Sequence, residues 1–406
     1  MSNLSPQRIK QLNQLAKDFC AKFYAVKIPF HLRFMYWSYY ILLAHKGVMV
    51  QSADRDPQYR DGKLKRGYDK YHNKIKNHLN KHYPRMESPI EIPTFQAGEL
   101  SDEEVQILMG LYIPFVVKGG AAQLKMMHWD LDFFADNFGD CELPINTAPD
   151  KPDSDAAKAN RATNYYDYKI GTVGELIKSV KQGGNMRAAA VSDVMHQQDN
   201  RLIKDLDIDM FERMTGWVKN QHHRLKRKLL VGKVVSTQLF LQPKYAYTIW
   251  HCEPADNFFL LQSGQKKWTI SHPYHSPAFN PRVKTNTTYH GCSIDVREDN
   301  SAQDNRGNEA YTRIPKLQVT VEAGDLLRLP NYWWHTVETF AEHHAIAVTL
   351  RATCLPNLAS VGYLAMRVLD KDYHEMIKRF KNGGRVTDRD VSLKLFSYLD
   401  KTKNQF

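Results

Sequence analysis

Thr248-Ile249-Trp250-His251-Cys252-Glu253 is the stretch on which the fold turns, answered further along by Pro330-Asn331-Tyr332-Trp333-Trp334-His335. If the first segment is a strand, side chains alternate between its two faces, so His251 and Glu253 share one face. Two ligands can then meet one metal, and the third must come from a neighbouring strand. His335 is placed for that, since it follows an apolar run that ends at Pro330. Neutral imidazoles bind a divalent ion, and the carboxylate offsets part of its charge. Two histidines and one carboxylate form the facial set of non-haem Fe(II) oxygenases and leave three positions open. A lone H-x-E is common by chance, so the neighbourhood has to carry the argument.

Outward from these segments, short apolar and β-branched runs dominate from Val234 to Thr353. They are Val234–Leu241, Phe258–Gln262, Lys267–Ile270, Leu317–Val321, Leu326–Leu329 and Ala345–Leu350. Gly264, Pro273, Gly324-Asp325 and Pro330-Asn331 punctuate them, which predicts a sandwich or barrel of many short strands. Polar residues 283–316 interrupt the series as a long insertion between barrel strands. Apolar residues at helical steps (Ile9, Leu12, Leu15, Ala16, Phe19) predict helix over 5–48, broken at Pro29. Tyr112–Gly119 reads as a strand and Trp129–Gly139 as a helix. The chain turns helical again from Ala359 to Phe380, with a last helix at Val391–Leu399. The expected division is a basic helical region over 1–100, an oxygenase-type domain over 101–355 with its core barrel at about 234–353, and a helical region over 356–406.

The ordered set is more specific than any one motif. His251-x-Glu253 is followed by Asn257-Phe258, then Gly264-Gln265-Lys266-Lys267-Trp268, then Gly324-Asp325-Leu326-Leu327, then Pro330 and Trp333-Trp334-His335. Over about residues 110–353 the chain resembles the JmjC and cupin-like 2-oxoglutarate oxygenases. Within them it is most similar to the small hydroxylase branch that includes the asparaginyl hydroxylase acting on hypoxia-inducible factor. The resemblance implies a mainly β fold with α additions: a double-stranded β-helix, the cupin or jelly-roll barrel, flanked by N- and C-terminal helices. It implies Fe(II), 2-oxoglutarate and O2 as cofactor and cosubstrates. The implied activity is hydroxylation of a C–H bond with release of succinate and CO2.

Carried over residue by residue, the resemblance makes His251, Glu253 and His335 the iron ligands. Lys266 becomes the cation for the distal carboxylate of 2-oxoglutarate, with Lys267 the competitor that alternation sends to the other face. Thr248 matches a position whose hydroxyl assists at that carboxylate, and Asn257 a position near the iron-side carboxylate or substrate. Tyr165, Tyr166 and Tyr168 lie where the family can supply a tyrosine to the cosubstrate, and the sequence does not choose among them. Glu253 stands where many hydroxylases of this branch have Asp, which leaves demethylation open. Cys252, between two ligands, should point away from the metal as a small apolar residue.

The 406 residues are 42% hydrophobic and 25% charged, with a formal net charge of +12. That is ordinary globular composition on a basic chain, which favours acidic partners without naming one. The five cysteines are scattered, which argues against a disulfide framework or zinc site and for a reducing compartment. A cytoplasmic protein is expected, or a nuclear one in a eukaryote. No membrane span is expected, because Phe34–Ala44 falls short of the ~20 apolar residues a span needs. Residues 52–86 interleave Tyr59, Tyr68, Tyr71 and Tyr83 with ten lysines and arginines. This reads as a solvated helix face before a nucleic-acid surface. A peptide or protein substrate is expected first; a small molecule or RNA, or a cupin that binds metal without turnover, are the alternatives. The C-terminal helices are expected to provide a homodimer interface.

Overall fold

A computed structural model of the chain describes residues 4–45, 62–86, 88–147, 169–192, 194–281, 290–292, 294–297, 300–305, 307–340, 344–355, 371–382 and 384–387. Fourteen strands appear in chain order among the described residues. The first seven are β1 (Thr94–Gln96), β2 (Phe115–Lys118), β3 (Glu142–Thr147), β4 (Lys169–Thr172), β5 (Met186–Val191), β6 (Val234–Pro243) and β7 (Tyr247–Cys252). The others are β8 (Asp256–Ser263), β9 (Gln265–Ser271), β10 (His290–Gly291), β11 (Leu317–Glu322), β12 (Leu326–Leu329), β13 (Trp334–Thr339) and β14 (His344–Ala352).

They build a major sheet in the order β1-β2-β12-β8-β14-β6-β5-β3-β4 and a minor sheet in the order β10-β7-β13-β9-β11. From β6 to β9 and again from β11 to β14 the chain passes back and forth between the sheets. That alternation is what a double-stranded β-helix requires, and the cupin-like jelly roll with helical additions is the observed fold. Gly264 (φ 81°) and Gly324 (φ 86°) make the tight turns after β8 and before β12 in a conformation glycine adopts without strain.

Each run named from the sequence lies in a strand, but the apolar pattern did not delimit β3, β4, β5, β7 or β13. Polar positions inside those strands hide their period. One expectation needs correction: His251 and Glu253 do not share a strand. β7 ends at Cys252, and Glu253 lies in the connection to β8. The predicted helix over 5–48 is two helices, α1 (Pro6–Tyr24) and α2 (Phe30–His45), parted just before and at Pro29. A third, α3 (Lys63–His82), carries the basic segment. The helix expected from Ala359 is described over Lys371–Lys381. The Val391–Leu399 helix, one of the two C-terminal helices expected to provide a dimer interface, and Tyr165, Tyr166 and Tyr168 lie outside the described residues. No helix among the described residues is long and apolar enough to cross a membrane.

Two apolar clusters hold the site from either side. The larger lies between and behind the sheets and takes in one face of α1 through Leu12, Ala16, Phe19 and Phe23. These are spaced at three- and four-residue steps, so a single stripe of the helix is buried. Phe19 and Phe23 pack on Trp333, with ring centroids 6.2 and 5.3 Å away. The second cluster seals the outer face of the minor sheet. Tyr36, Trp37 and Tyr40 of α2 and Tyr68, Ile75 and Leu79 of α3 cover Trp250, Cys252 and Trp334. Tyr68, one of the tyrosines in the basic segment, is therefore core, and the charged side chains of α3 lie on its other flank.

Candidate active site

The site lies on the inner face of the minor sheet. His335 of β13 is directly opposite His251 of β7, and their ring centroids are 4.0 Å apart. His251 Nδ1 lies 2.7 Å from the Ile249 carbonyl, and His335 Nδ1 lies 3.0 Å from the Trp333 carbonyl. A carbonyl can only accept, so each Nδ1 carries the proton and each Nε2 is the unprotonated nitrogen, the one able to act as a metal donor. The second ring nitrogen fixing the tautomer is the usual support of a metal-binding histidine. Burial lowers His251 to a pKa of about 4, and burial with the neighbouring His251 lowers His335 to about 3. Both imidazoles are therefore neutral at pH 7.

The motif around His335 divides its work by face. Trp333 packs against α1, Trp334 stacks on Phe279 at 4.5 Å in the outer cluster, and His335 turns inward between them. The Trp334 indole N–H donates to Ser276 Oγ at 2.9 Å. On the inner side the Trp268 ring stacks on His335 at 5.3 Å and holds the plane of the imidazole.

Glu253 reaches the histidines from its loop, which is fixed by the Tyr332 N–H donating to the Glu253 carbonyl at 2.6 Å. One carboxylate oxygen, Oε1, lies 3.7 Å from His251 Nε2. With a neutral imidazole this is proximity and not an ion pair. The same oxygen accepts from Arg351 Nη2 at 2.7 Å, while Oε2 is buried with no hydrogen-bond partner. Arg351 thus draws the carboxylate toward β14. Among the described residues no three His, Cys, Asp or Glu side chains are gathered closely enough to hold a metal ion in this arrangement. The donor set nevertheless fits a divalent metal: two neutral nitrogen donors side by side, and a buried carboxylate oxygen lacking the partner that burial demands.

Lys266 is on the same face. In the register β9 to β13, Ile270 pairs with His335, Trp268 with Val337 and Lys266 with Thr339. Lys267 falls on the opposite face, as alternation requires. The buried Lys266 Nζ donates to Gln242 Oε1 of the major sheet and to Thr339 Oγ1 at 2.9 Å. Both partners are neutral. Burial, with the nearby charge of Arg187, lowers the ammonium to a pKa of about 7.

Thr248 is brought to this face by an irregularity. Strict alternation would put it opposite to His251, three residues away. Between His335 and Val337 the β13–β7 register slips, so two residues of β13 span three of β7 and Thr248 pairs with Val337. Bulges of this kind re-aim side chains beside active sites. Asn257 of β8 pairs with Arg351 and shares the inner face with Phe259, whose ring meets Trp268 at 4.8 Å. Its Oδ1 is buried and has no partner.

Gln242, Thr339, Arg351, Arg187 and Asn146 complete the lining and were not singled out from the sequence. The signal for Gln242 was present: Ser236, Gln238 and Gln242 recur at even spacing in an otherwise apolar strand. A family model for the cupin-like domain matches residues 101–350, a span that takes in both sheets except β1 and the last two residues of β14, and all these residues except Arg351. By that match the chain belongs to the cupin-like domain family.

Proposed function

We propose that the chain is an Fe(II)- and 2-oxoglutarate-dependent oxygenase that hydroxylates a C–H bond, with a peptide or protein side chain as substrate. The observation that carries this is the shared inner face: two neighbouring neutral histidines whose Nδ1 atoms are held by backbone carbonyls, and four residues along the strand a buried lysine bonded only to neutral groups. An ammonium buried in this way calls for an anion, because an unpaired buried charge is strongly unfavourable. His251, His335 and Glu253 Oε2 would hold the iron, and Lys266 would take the distal carboxylate of the cosubstrate. Bound iron supplies activation of O2 coupled to oxidative decarboxylation of the 2-oxo acid. The chain's own contribution is placement. Trp268 fixes the His335 ring and walls off water, and Arg351 holds Oε1 so that Glu253 offers a single oxygen. Thr248 and Asn257 present polar atoms to the cosubstrate and substrate sides.

The branch-level resemblance and the polar insertion beside the barrel favour a polypeptide substrate over a small molecule or RNA. One observation favours a second reading, a cupin that binds without turnover: the Arg351–Glu253 ion pair, which competes with metal for the carboxylate. Both readings meet the same test. Fe(II) and 2-oxoglutarate are added anaerobically, the weak visible charge-transfer band of a chelated 2-oxo acid is sought, and O2 is admitted while succinate is measured. A band that decays as succinate appears supports the oxygenase. With iron loaded, absence of the band removes 2-oxoglutarate from the proposal, and a band without succinate supports the silent reading.

A further inference from the structure

The two helices that cover the outer face of the minor sheet, α2 and α3, run antiparallel. Near their middles Tyr36 meets Tyr68 and His72, with ring centroids 5.0 and 6.5 Å apart, and Tyr39 stacks on Tyr71 at 5.7 Å. Just before α2 the Lys27 carbonyl lies 3.1 Å from His78 Nε2 near the end of α3. Both helices bury a stripe in the same apolar cluster, Tyr36 and Tyr40 from one and Tyr68, Ile75 and Leu79 from the other. Their opposite stripes therefore lie side by side on the surface that faces away from the barrel.

The two exposed stripes differ in kind. On α2 it is apolar: Phe30 is 79% exposed, Phe34 58% and Leu42 47%. Phe30 and Phe34, one turn apart, stack on each other at 6.2 Å in the open. On α3 it is basic: Lys63, Arg66, Lys70, Lys74 and Lys81 are all exposed. Steps of three, four and seven residues set these five on one arc of the helix, about one cation per turn over ~27 Å. The remaining lysines of α3 lie toward its flank and are compensated, Lys65 by Asp69 at 2.6 Å and Lys76 by Glu309 at 3.5 Å. Asp69 is the only acidic residue of either helix. No carboxylate of the described residues pairs with the five cations of the stripe. A face that serves only for solvation mixes acids among its bases and does not set large apolar side chains beside them.

The neighbouring stripes select among partners. A nucleic acid would use the cations and leave Phe30, Phe34 and Leu42 unexplained. A second copy of the chain would bring the same patch, and with it no acid for the cations. A bilayer surface rich in anionic lipid uses both, headgroups for the cations and the headgroup–acyl boundary for the apolar side chains. No helix among the described residues can cross a membrane, so the contact is with the surface.

We propose that α2 and α3 form a membrane-docking face for anionic bilayers. Phe30, Phe34 and Leu42 enter the headgroup boundary, and the α3 cations hold the headgroups beside them. The barrel then rests with its minor sheet toward the bilayer. This does not depend on the oxygenase reading, since no residue of either stripe lines the candidate site.

The test is sedimentation of the full chain with vesicles, without metal or 2-oxo acid. Vesicles of phosphatidylcholine with about a third phosphatidylserine should carry the protein down, and phosphatidylcholine alone should not. Added salt should weaken the binding. Lys70→Gln with Lys74→Gln should weaken it about 25-fold, at roughly fivefold per surface cation. Phe30→Ser with Phe34→Ser should weaken it at least ~10-fold and keep the salt dependence. The substituted side chains are exposed, so Tm should not move. Equal binding to both vesicles, binding to neither, or loss in neither variant overturns the proposal. Failure on vesicles with capture of a single-stranded oligonucleotide through Lys70 and Lys74 would give the basic stripe to nucleic acid. Failure on vesicles with a change of oligomeric state in the phenylalanine variant would give the apolar stripe to a second copy. A lowered Tm in that variant, with vesicle binding intact, would mean that the chain itself covers the phenylalanines, and the proposal falls.

Discussion

The two faces of β7, β13 and β9 are made by the same strands and differ in kind. Outside, Trp250, Cys252 and Trp334 are locked among the aromatic side chains of α2 and α3, and the Trp334 N–H has its acceptor. Inside, Glu253 Oε2, Trp268 Nε1, Asn257 Oδ1, Gln238 Oε1 and Gln242 Nε2 are buried without partners. Folded proteins satisfy nearly all buried polar groups. Trp250 Nε1 on the outer face is an exception too, but most of these partnerless atoms face the interior, where a bound group could satisfy them. The outer face is built for stability and the inner face at the expense of it.

The sharpest way to break this contrast is to truncate one residue on each face. His335→Ala or His251→Ala should cut succinate formation by on the order of a thousandfold or more, because each removes a ligand of an already open site. The same variants should unfold within about 1 kcal/mol of wild type in urea, since each removes a polar group from a site already short of partners. Trp334→Ala, one residue away, should do the reverse and lose about 3–5 kcal/mol of stability by leaving a cavity against Phe279. Near-equal losses of stability in Trp334→Ala and His335→Ala would mean that the faces are not separate in function.

Lys266 sharpens the contrast through pH. Its folded pKa of about 7 lies well below that of a free lysine, near ~10.4. Between those values the unfolded chain binds the extra proton, so stability should rise as pH rises, by up to ~1.4 kcal/mol per unit. Lys266→Met should flatten that rise in urea midpoints measured at pH 7 and pH 9. Affinity for 2-oxoglutarate should move the other way and weaken above pH 7, since the anion needs the charged lysine. The smallest effect expected is at Thr248. Thr248→Val should weaken 2-oxoglutarate roughly 2- to 10-fold by removing one neutral hydrogen bond, and Thr248→Ser should not. Equal losses in both variants would show that the bulge, and not the hydroxyl, matters there.

What could be read from the sequence follows the same division. His251, Glu253, His335 and Lys266 stand in compact segments where a fixed spacing and neighbouring tryptophans carry the information. Their placement on one face follows from alternation alone, except for Glu253, which the end of β7 releases into a loop. Arg187, Asn146 and Arg351 were not legible, because their placement comes from strands paired across long separations. Nothing local distinguishes Arg187 in Met186-Arg187-Ala188 from an edge-strand arginine. The slip that aims Thr248 inward is likewise a property of the β13–β7 pair and of neither strand alone. The tyrosines looked for near 165–168 fall outside the described residues.

The packing of α1 on Trp333 sets a limit on how this site could be moved to another protein. The carbonyl that fixes the tautomer of His335 belongs to Trp333, and Trp333 is wedged by Phe19 and Phe23, far outside the 101–350 span of the family match. Excising the barrel at those borders would keep every residue that touches a ligand and discard the wedge behind one of them. The smallest transplantable unit is therefore larger than the family's shared core: an orphan helix at the start of the chain acts as the keystone of a histidine more than three hundred residues away.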